Sequence, residues 1–244
     1  MLVTCEQELY TDFMNIEIIP ATMPQKFEDI ATDVGLALHQ VQTVQLDLMD
    51  GKYVSEKTWP FIYGADRDLI ALQKEDESLP FWDEVNYELD LMVERPETQL
   101  DDWLHIGASR VIFHYASVHD WEPIKTIDHI TRNFIEIGCA ITIHDSLEDI
   151  YPLIDENIID FVQVMGIAHI GYQGEPFAEE SLKIITELKT RYPELMISVD
   201  GGVSTETISE LYNVGVRRFV SGSGVYAGGV VEENIHQLKS CVTE

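Results

Sequence analysis

Val44-Gln45-Leu46-Asp47-Leu48-Met49-Asp50-Gly51 reads as a short buried strand running into a glycine turn. Alternation with period two puts Gln45, Asp47 and Met49 on one face and Leu46 and Leu48 on the other. Seven more short, apolar or β-branched runs carry the same signature of a parallel sheet covered by helices. They are Ile16–Ile19, Tyr87–Val93, Arg110–His114, Cys139–Ile143, Phe161–Met165, Met196–Val199 and Arg218–Ser221. Helical spacing fills the intervals, as in Phe27, Ile30, Val34 and Leu38, then Ile127, Ile130, Phe134 and Ile137, then Leu182, Ile185 and Leu188. Eight strand-then-helix units in 244 residues predict an α/β fold, a (β/α)8 TIM barrel, because an open doubly wound sheet more often stops at about five or six strands. No Pro-, Gly- or Ser-rich linker divides the chain, so residues 1–244 read as a single domain, with 1–14 as an N-terminal extension. The connection 52–85 is long and aromatic, with Trp59, Phe61, Tyr63, Phe81 and Trp82. It includes a predicted helix over Asp66–Gln73 and suits packing, or a contact in a homo-oligomer.

The charge balance narrows the function classes. Forty-four acidic residues against 15 basic ones leave a net charge of −29, which repels nucleic-acid phosphates and anionic lipid headgroups, and no basic patch offsets it. The segment MLVTCEQELYTDF has neither a basic start nor an apolar core, so a soluble, cytoplasmic protein without a membrane role is expected. Cys5, Cys139 and Cys241 are odd in number and widely spaced, and read as free thiols, with Cys139 as packing.

In a barrel of this type the reacting groups come from the C-terminal ends of the strands. Asp47 and Met49 share the inner face of strand two with Gln45; Glu88, Asp90 and Met92 share that of strand three; Ser198 and Asp200 share that of strand seven. Ionised carboxylates inside an apolar barrel are costly unless paired, so Asp47, Asp90 and Asp200 point to chemistry. Asp50, beside Gly51, reads as a turn cap. Glycines follow the last three strands, in Gly171-Tyr172-Gln173-Gly174, Gly201-Gly202 and Ser221-Gly222-Ser223-Gly224. Such loops expose backbone N–H groups to an anion, and no Lys or Arg stands beside the glycines of strands seven and eight. Gly171, Gly174, Gly201, Gly202, Gly222 and Ser223 are therefore the candidate phosphate grip. His114, His144 and His169 are near enough to the mouth to act as a base or ligand; the remaining histidines read as surface.

Leu46-Asp47-Leu48-Met49-Asp50-Gly51-Lys52-Tyr53-Val54 resembles the strand-two signature of ribulose-phosphate 3-epimerases, roughly H-x-D-x-M-D-G-x-F-V. Glu88-Leu89-Asp90-Leu91-Met92-Val93 resembles their D-V-H-L-M-V, and Phe113-His114-Tyr115-Ala116 their F-H-x-E-A. Gly171 to Gly174 is similar to their G-F-G-G, Val199 to Val203 to V-D-G-G-I, and Ser221 to Ser223 to G-S-A, all in the same order. The resemblance implies a barrel that inverts C3 of a phosphorylated ketopentose, with Asp47 and Asp200 as acid and base beside a metal held by two histidines and these aspartates. It also implies Met49, Met92 and Met165 in the pocket wall, with His114 near them. The chain departs from the pattern where Gln45 and Asp90 stand for the two histidines. Ala21 stands for a serine after strand one, Glu88 for an aspartate, and Ala116 for the strand-four glutamate. The segment Gly166-Ile167-Ala168-His169-Ile170 also differs from the family's usual pattern.

Gln45, Asp47, Asp90 and Asp200 would offer oxygen ligands only, which favours Mg²⁺ or Mn²⁺ over zinc. A metal-free site would instead keep one carboxylic acid protonated to stabilise an enediolate. No nucleotide cofactor is expected. The partner is a small phosphorylated sugar and the reaction epimerisation or isomerisation beside its ketone. A metal-assisted phosphosugar aldolase or decarboxylase, and a non-catalytic phosphosugar-binding protein, are the other two readings.

Overall fold

A computed structural model describes residues 16–64, 67–172 and 174–243. The expected 1–14 extension and Cys5 lie outside the described residues, as do Asp66 and Gln173. Eight parallel strands close into a barrel in chain order: β1 Glu17–Thr22, β2 Thr43–Met49, β3 Asn86–Met92, β4 Arg110–His114, β5 Glu136–Ile141, β6 Phe161–Met165, β7 Met196–Asp200 and β8 Arg218–Ser221. Around them lie α1 Phe27–Ala37, α2 Arg67–Gln73, α3 Leu100–Leu104, α4 Glu122–Lys125, α5 His129–Arg132, α6 Leu147–Asp155, α7 Glu180–Arg191, α8 Ile208–Asn213, α9 Ser223–Tyr226 and α10 Val231–Thr243. This is the TIM barrel that the strand-helix order predicts. Among the described residues no helix is long and apolar enough to cross a membrane.

The alternation read from the strands places the side chains as expected. Leu46, Leu48, Leu89 and Leu91 are fully buried in the core between sheet and helices, together with Ile30, Val34, Ile185 and Leu188. The inner face is filled separately, by Ile19, Ala21 and Val220 on one side and by Ile112, Ala140, Phe161 and Met165 on the other. Beneath them an ion network forms the floor. Arg110 reaches Glu17 and Glu88 at 2.9 Å each and Glu136 at 3.5 Å, while Arg218 reaches Glu136 at 2.8 Å and Glu17 at 3.5 Å. Guanidinium groups suit this place because their several donors satisfy carboxylates from different strands at once.

Three elements differ from the sequence reading. The spacing Ile127, Ile130, Phe134 and Ile137 predicts one helix, but within that span the chain forms only the single turn α5, after the separate turn α4, and leaves Ile130 60% and Phe134 77% exposed. Asp128 restarts the helix by accepting from the N–H groups of Ile130 and Thr131 at 2.9 and 3.2 Å. Ile137 belongs to the sheet: β5 opens at Glu136, three residues before the expected Cys139, because Glu136 is drawn to Arg110 and Arg218. At the other end, β1 runs on through Pro20, paired with Ser221, to Thr22.

The 52–85 connection is divided in its behaviour. Trp59 is buried against Phe27, ring centroids 5.4 Å apart, and Phe61 packs on Trp103 at 6.1 Å, whereas Tyr63 and Trp82 are exposed. The Thr58 hydroxyl ties this loop to the end of β2, accepting from Met49 N at 2.8 Å and donating to Asp47 O at 2.7 Å.

Gly138 in β5 faces the ring of Phe161, and a Cβ there would lie 2.5 Å from it. Gly138→Ala is therefore expected to destabilise the barrel by about 1–3 kcal/mol through overpacking. Urea unfolding would show a lower midpoint at constant slope; an unchanged midpoint would mean that the ring moves aside freely.

Candidate active site

Register brings the acidic residues together. Asp47 and Asp90 are directly paired across β2 and β3, one rung above Gln45 and Glu88, and Asp200 is the last residue of β7, paired with Met165. Oxygen atoms of Asp47, Asp90 and Asp200 all lie within 4.8 Å of one another, so these three residues could hold a metal ion. Asp47 is 4%, Asp90 0% and Asp200 9% exposed, so like charges meet where water screens them little.

Buried side chains answer part of this repulsion, among them Gln163, whose Nε2 lies 3.5 Å from Asp200 Oδ2. Gln45, fully buried, donates from Nε2 to Asp47 Oδ1 and to Asp200 Oδ2 at 2.8 Å each. His114, at the end of β4 and fully buried, meets Asp90 Oδ1 through Nε2 at 2.9 Å. Among the described residues, Asp90 Oδ2 and Gln45 Oε1 have no hydrogen-bond partner. An orphaned, buried carboxylate oxygen beside two further carboxylates fits a hard divalent cation, whose charge offsets theirs and whose preferred ligand is oxygen. Gln45, expected to contribute its oxygen, presents its nitrogen to the cluster, and ligation through Oε1 would require the amide to turn over.

Burial raises the pKa of Asp47 well above the ordinary carboxylate value, with the charges of Asp200 and Asp90 adding to the effect and the Gln45 bond opposing it. Asp200 is pushed up to about 7 by burial and then by Asp90. Glu88 is likewise pushed up to about 7 by burial, against the pull of Arg110. Near neutral pH the Asp47 and Asp200 pair therefore holds a proton readily, and its titration belongs to the pair.

Asp47 and Asp200 open into a cavity of about 570 Å³ at the C-terminal mouth of the barrel. All six phosphate candidates, Gly171, Gly174, Gly201, Gly202, Gly222 and Ser223, line it, and among the described residues its lining contains no Lys, Arg or His. Gly201 and Gly202 both have positive φ, 89° and 69°, and a Cβ on Gly202 would lie 2.9 Å from Phe177. The turn is thus free of side chains at its most crowded point. Met92 and Met165 line the cavity; Met49 packs behind with Val54 and Met92, and His114 sits behind the wall under the Tyr53 ring, 5.3 Å away. His144 is exposed, and His169 faces Glu175 at 3.3 Å.

Sequence reasoning missed three contributors. Ser204 and Thr207 line the glycine rim, where Thr207 donates to Gly202 O at 2.7 Å. Tyr172 OH meets Ser55 Oγ at 2.6 Å, joining the loop after β6 to the loop after β2 across the mouth. The polar residues beside the glycines were the available signal for the first two; nothing local announces the third.

Residues 17–226 match the Ribulose-phosphate 3 epimerase family. The chain belongs to this family. It is 28% identical to the ribulose-phosphate 3-epimerase of Schizosaccharomyces pombe over 93% of each chain. Against the enzyme of that name from Treponema pallidum it is 29% identical, over 80% of this chain and 84% of the other. The barrel is similar to that of KGPDC from Streptococcus mutans, with TM-score 0.66, 14% identity, and coverage of 93% and 97%. It is equally similar to a 3-hexulose-6-phosphate synthase, with TM-score 0.66, 17% identity, and coverage of 93% and 100%. At these identities the two structures speak for the fold.

The raised carboxyl pKa values make stability depend on pH. Between the unfolded value near 4 and the folded value near 7 the native chain holds more protons than the unfolded chain, so its stability falls as pH rises through that window. In EDTA the melting temperature is expected to be higher at pH 5 than at pH 8. Mg²⁺ or Mn²⁺ should raise it more at pH 8, where the carboxylates are free to bind. Scanning calorimetry at both pH values checks this, and a cation effect independent of pH would contradict the assignment.

Proposed function

We propose that this member of the epimerase family moves a proton at the carbon beside the ketone of a ketose phosphate, with Asp47 and Asp200 as the acid–base pair. One observation carries the reading: both residues line the cavity that extends to the glycine rim, so a sugar held by its phosphate there presents its carbon chain to both. Epimerisation needs one group ionised to take the proton and one protonated to return it on the other face. The raised pKa values of Asp47 and Asp200 support such a divided state near neutrality. The C–H bond breaks as one carboxylate gains the proton, the electrons pass into the enediolate, and the other carboxyl gives up its proton to re-form the C–H bond. Afterwards the two groups have exchanged protonation states.

Gln45 and Asp90 stand in place of the imidazoles that the family resemblance implies. Free oxygens of Asp47, Asp90 and Asp200 would hold a divalent cation, Mg²⁺ or Mn²⁺ in preference to zinc, and when bound it would supply positive charge beside the enediolate. The phosphate is gripped by backbone N–H groups of the loops bearing Gly171, Gly174, Gly201, Gly202, Gly222 and Ser223, since no basic side chain lines that rim. The all-carboxylate set also favours a second reading, a metal-assisted aldolase or decarboxylase, because the same enediolate arises when a carbon–carbon bond breaks.

A panel of ketose phosphates in D₂O separates the readings. Deuterium exchange with inversion supports the epimerase, cleavage or carbon loss supports the second reading, and binding without either supports a phosphosugar-binding protein. Asp47→Asn and Asp200→Asn are each expected to slow exchange by about 10²–10⁴-fold while calorimetry shows sugar-phosphate affinity little changed. Retained turnover in either variant would remove the acid–base assignment. Gly202→Ala, strained at positive φ and pressed on Phe177, is expected to weaken binding of the phosphorylated sugar about tenfold or more (roughly 1.4 kcal/mol) with little effect on its dephosphorylated form. Equal losses for both would argue against a phosphate site at this rim.

A further inference from the structure

Position 45 lies at the centre of the barrel, one rung below the carboxylates, with Glu88 opposite it in register. Gln45 is fully buried, and both of its good contacts run from one nitrogen, to Asp47 on its own strand and to Asp200 on β7. Strands β1 and β8 intervene between β2 and β7 around the closed barrel. A single NH₂ group, which has two protons to give, therefore spans the two sides of the proposed acid–base pair. Turned over, the amide would forfeit both bonds and set its oxygen against whichever of the two carboxyl groups is ionised.

Asp90 is treated in the same manner by His114, which holds Oδ1 and leaves Oδ2 without a partner among the described residues. Each of the three carboxylates thus has one oxygen tied to a buried nitrogen. The tied atoms are Asp47 Oδ1, Asp200 Oδ2 and Asp90 Oδ1. The direction of each carboxylate's second oxygen is then set by the group that holds the first.

We infer that Gln45 is a positioning residue: its side-chain NH₂ fixes the separation and orientation of Asp47 and Asp200, and it acts through them without ligating a cation by its oxygen. The inference rests on the acid–base reading of those two aspartates. Its physical basis is that charge-assisted hydrogen bonds in a buried site are strong and geometrically restrictive. A donor shared by two like-charged groups also lowers the repulsion between them.

Two measurements on the full chain test it. In the first, protein labelled with ¹⁵N at glutamine is examined by NMR, with Gln45→Met identifying the missing side-chain NH₂ signal. The Gln45 signal is expected to be strongly protected from solvent exchange, to move in Asp47→Asn and Asp200→Asn, and to persist when Mg²⁺ is added. An unprotected signal, or protection lost on adding Mg²⁺, would overturn the inference, because the amide would then be turned or free. In the second, Gln45→Met, similar in volume but without a donor, is assayed for deuterium exchange with the ketose phosphate that wild type accepts. Its kcat is expected to fall about 10–100-fold with KM almost unchanged; wild-type kcat would overturn the inference. If wild type exchanges no ketose phosphate, the proposed function fails, and the NMR result still decides the role of Gln45.

Discussion

Three carboxylates enclosed in one cross-section of a barrel repel one another, and most of the other polar choices inside this chain answer that repulsion. Desolvation makes each charge costly and low screening makes the neighbours felt, as the raised pKa values of Asp47 and Asp200 record. Gln45 answers with two N–H donors and no charge of its own, and His114 with one ring nitrogen. One level down, Arg110 and Arg218 hold Glu17, Glu88 and Glu136, so the guanidinium charge of the interior is kept at the floor and away from the mouth. The cavity above is left negative and suited to a cation.

The glycine-lined end of the cavity is built by other means. Glycines at positive φ, short polar side chains and turn hydrogen bonds shape the rim, and no Lys or Arg competes for the inner carboxylates. In a chain with a net charge of −29 this separation matters. A lysine on that rim would bring a fixed positive charge toward Asp200, and such a charge would oppose the raised pKa on which a proton-holding carboxyl depends. Main-chain N–H groups bind an anion without that side effect.

Much of this was legible in the sequence, where local geometry decides the outcome. Alternation along β2, β3 and β7 placed Asp47, Asp90 and Asp200 on the inner face and their leucine neighbours outside, because a strand's side-chain period does not depend on its partners. The glycine loops could be read for the same reason. What escaped depends on distant encounters. The Gln45 amide is oriented by Asp47 on its own strand together with Asp200, 155 positions away, so the composition of the strand suggested an oxygen ligand where the fold presents a nitrogen. Glu136 belongs to β5 because two arginines on other strands hold it, and Ile137 consequently left the helix that its spacing suggested. The bridge from Ser55 to Tyr172 joins loops 117 positions apart.

The shared donor at position 45 constrains how such a barrel changes over generations. Replacing the glutamine by itself strips two enclosed acids of their common partner, and replacing Asp90 by itself leaves the His114 nitrogen facing nothing. Each lone step passes through a poorer protein, because neighbours in one hydrogen-bonded cluster do not contribute independently. Mutational paths between carboxylate-lined and imidazole-lined versions of this interior are therefore narrow, and positions 45 and 90 should travel them together.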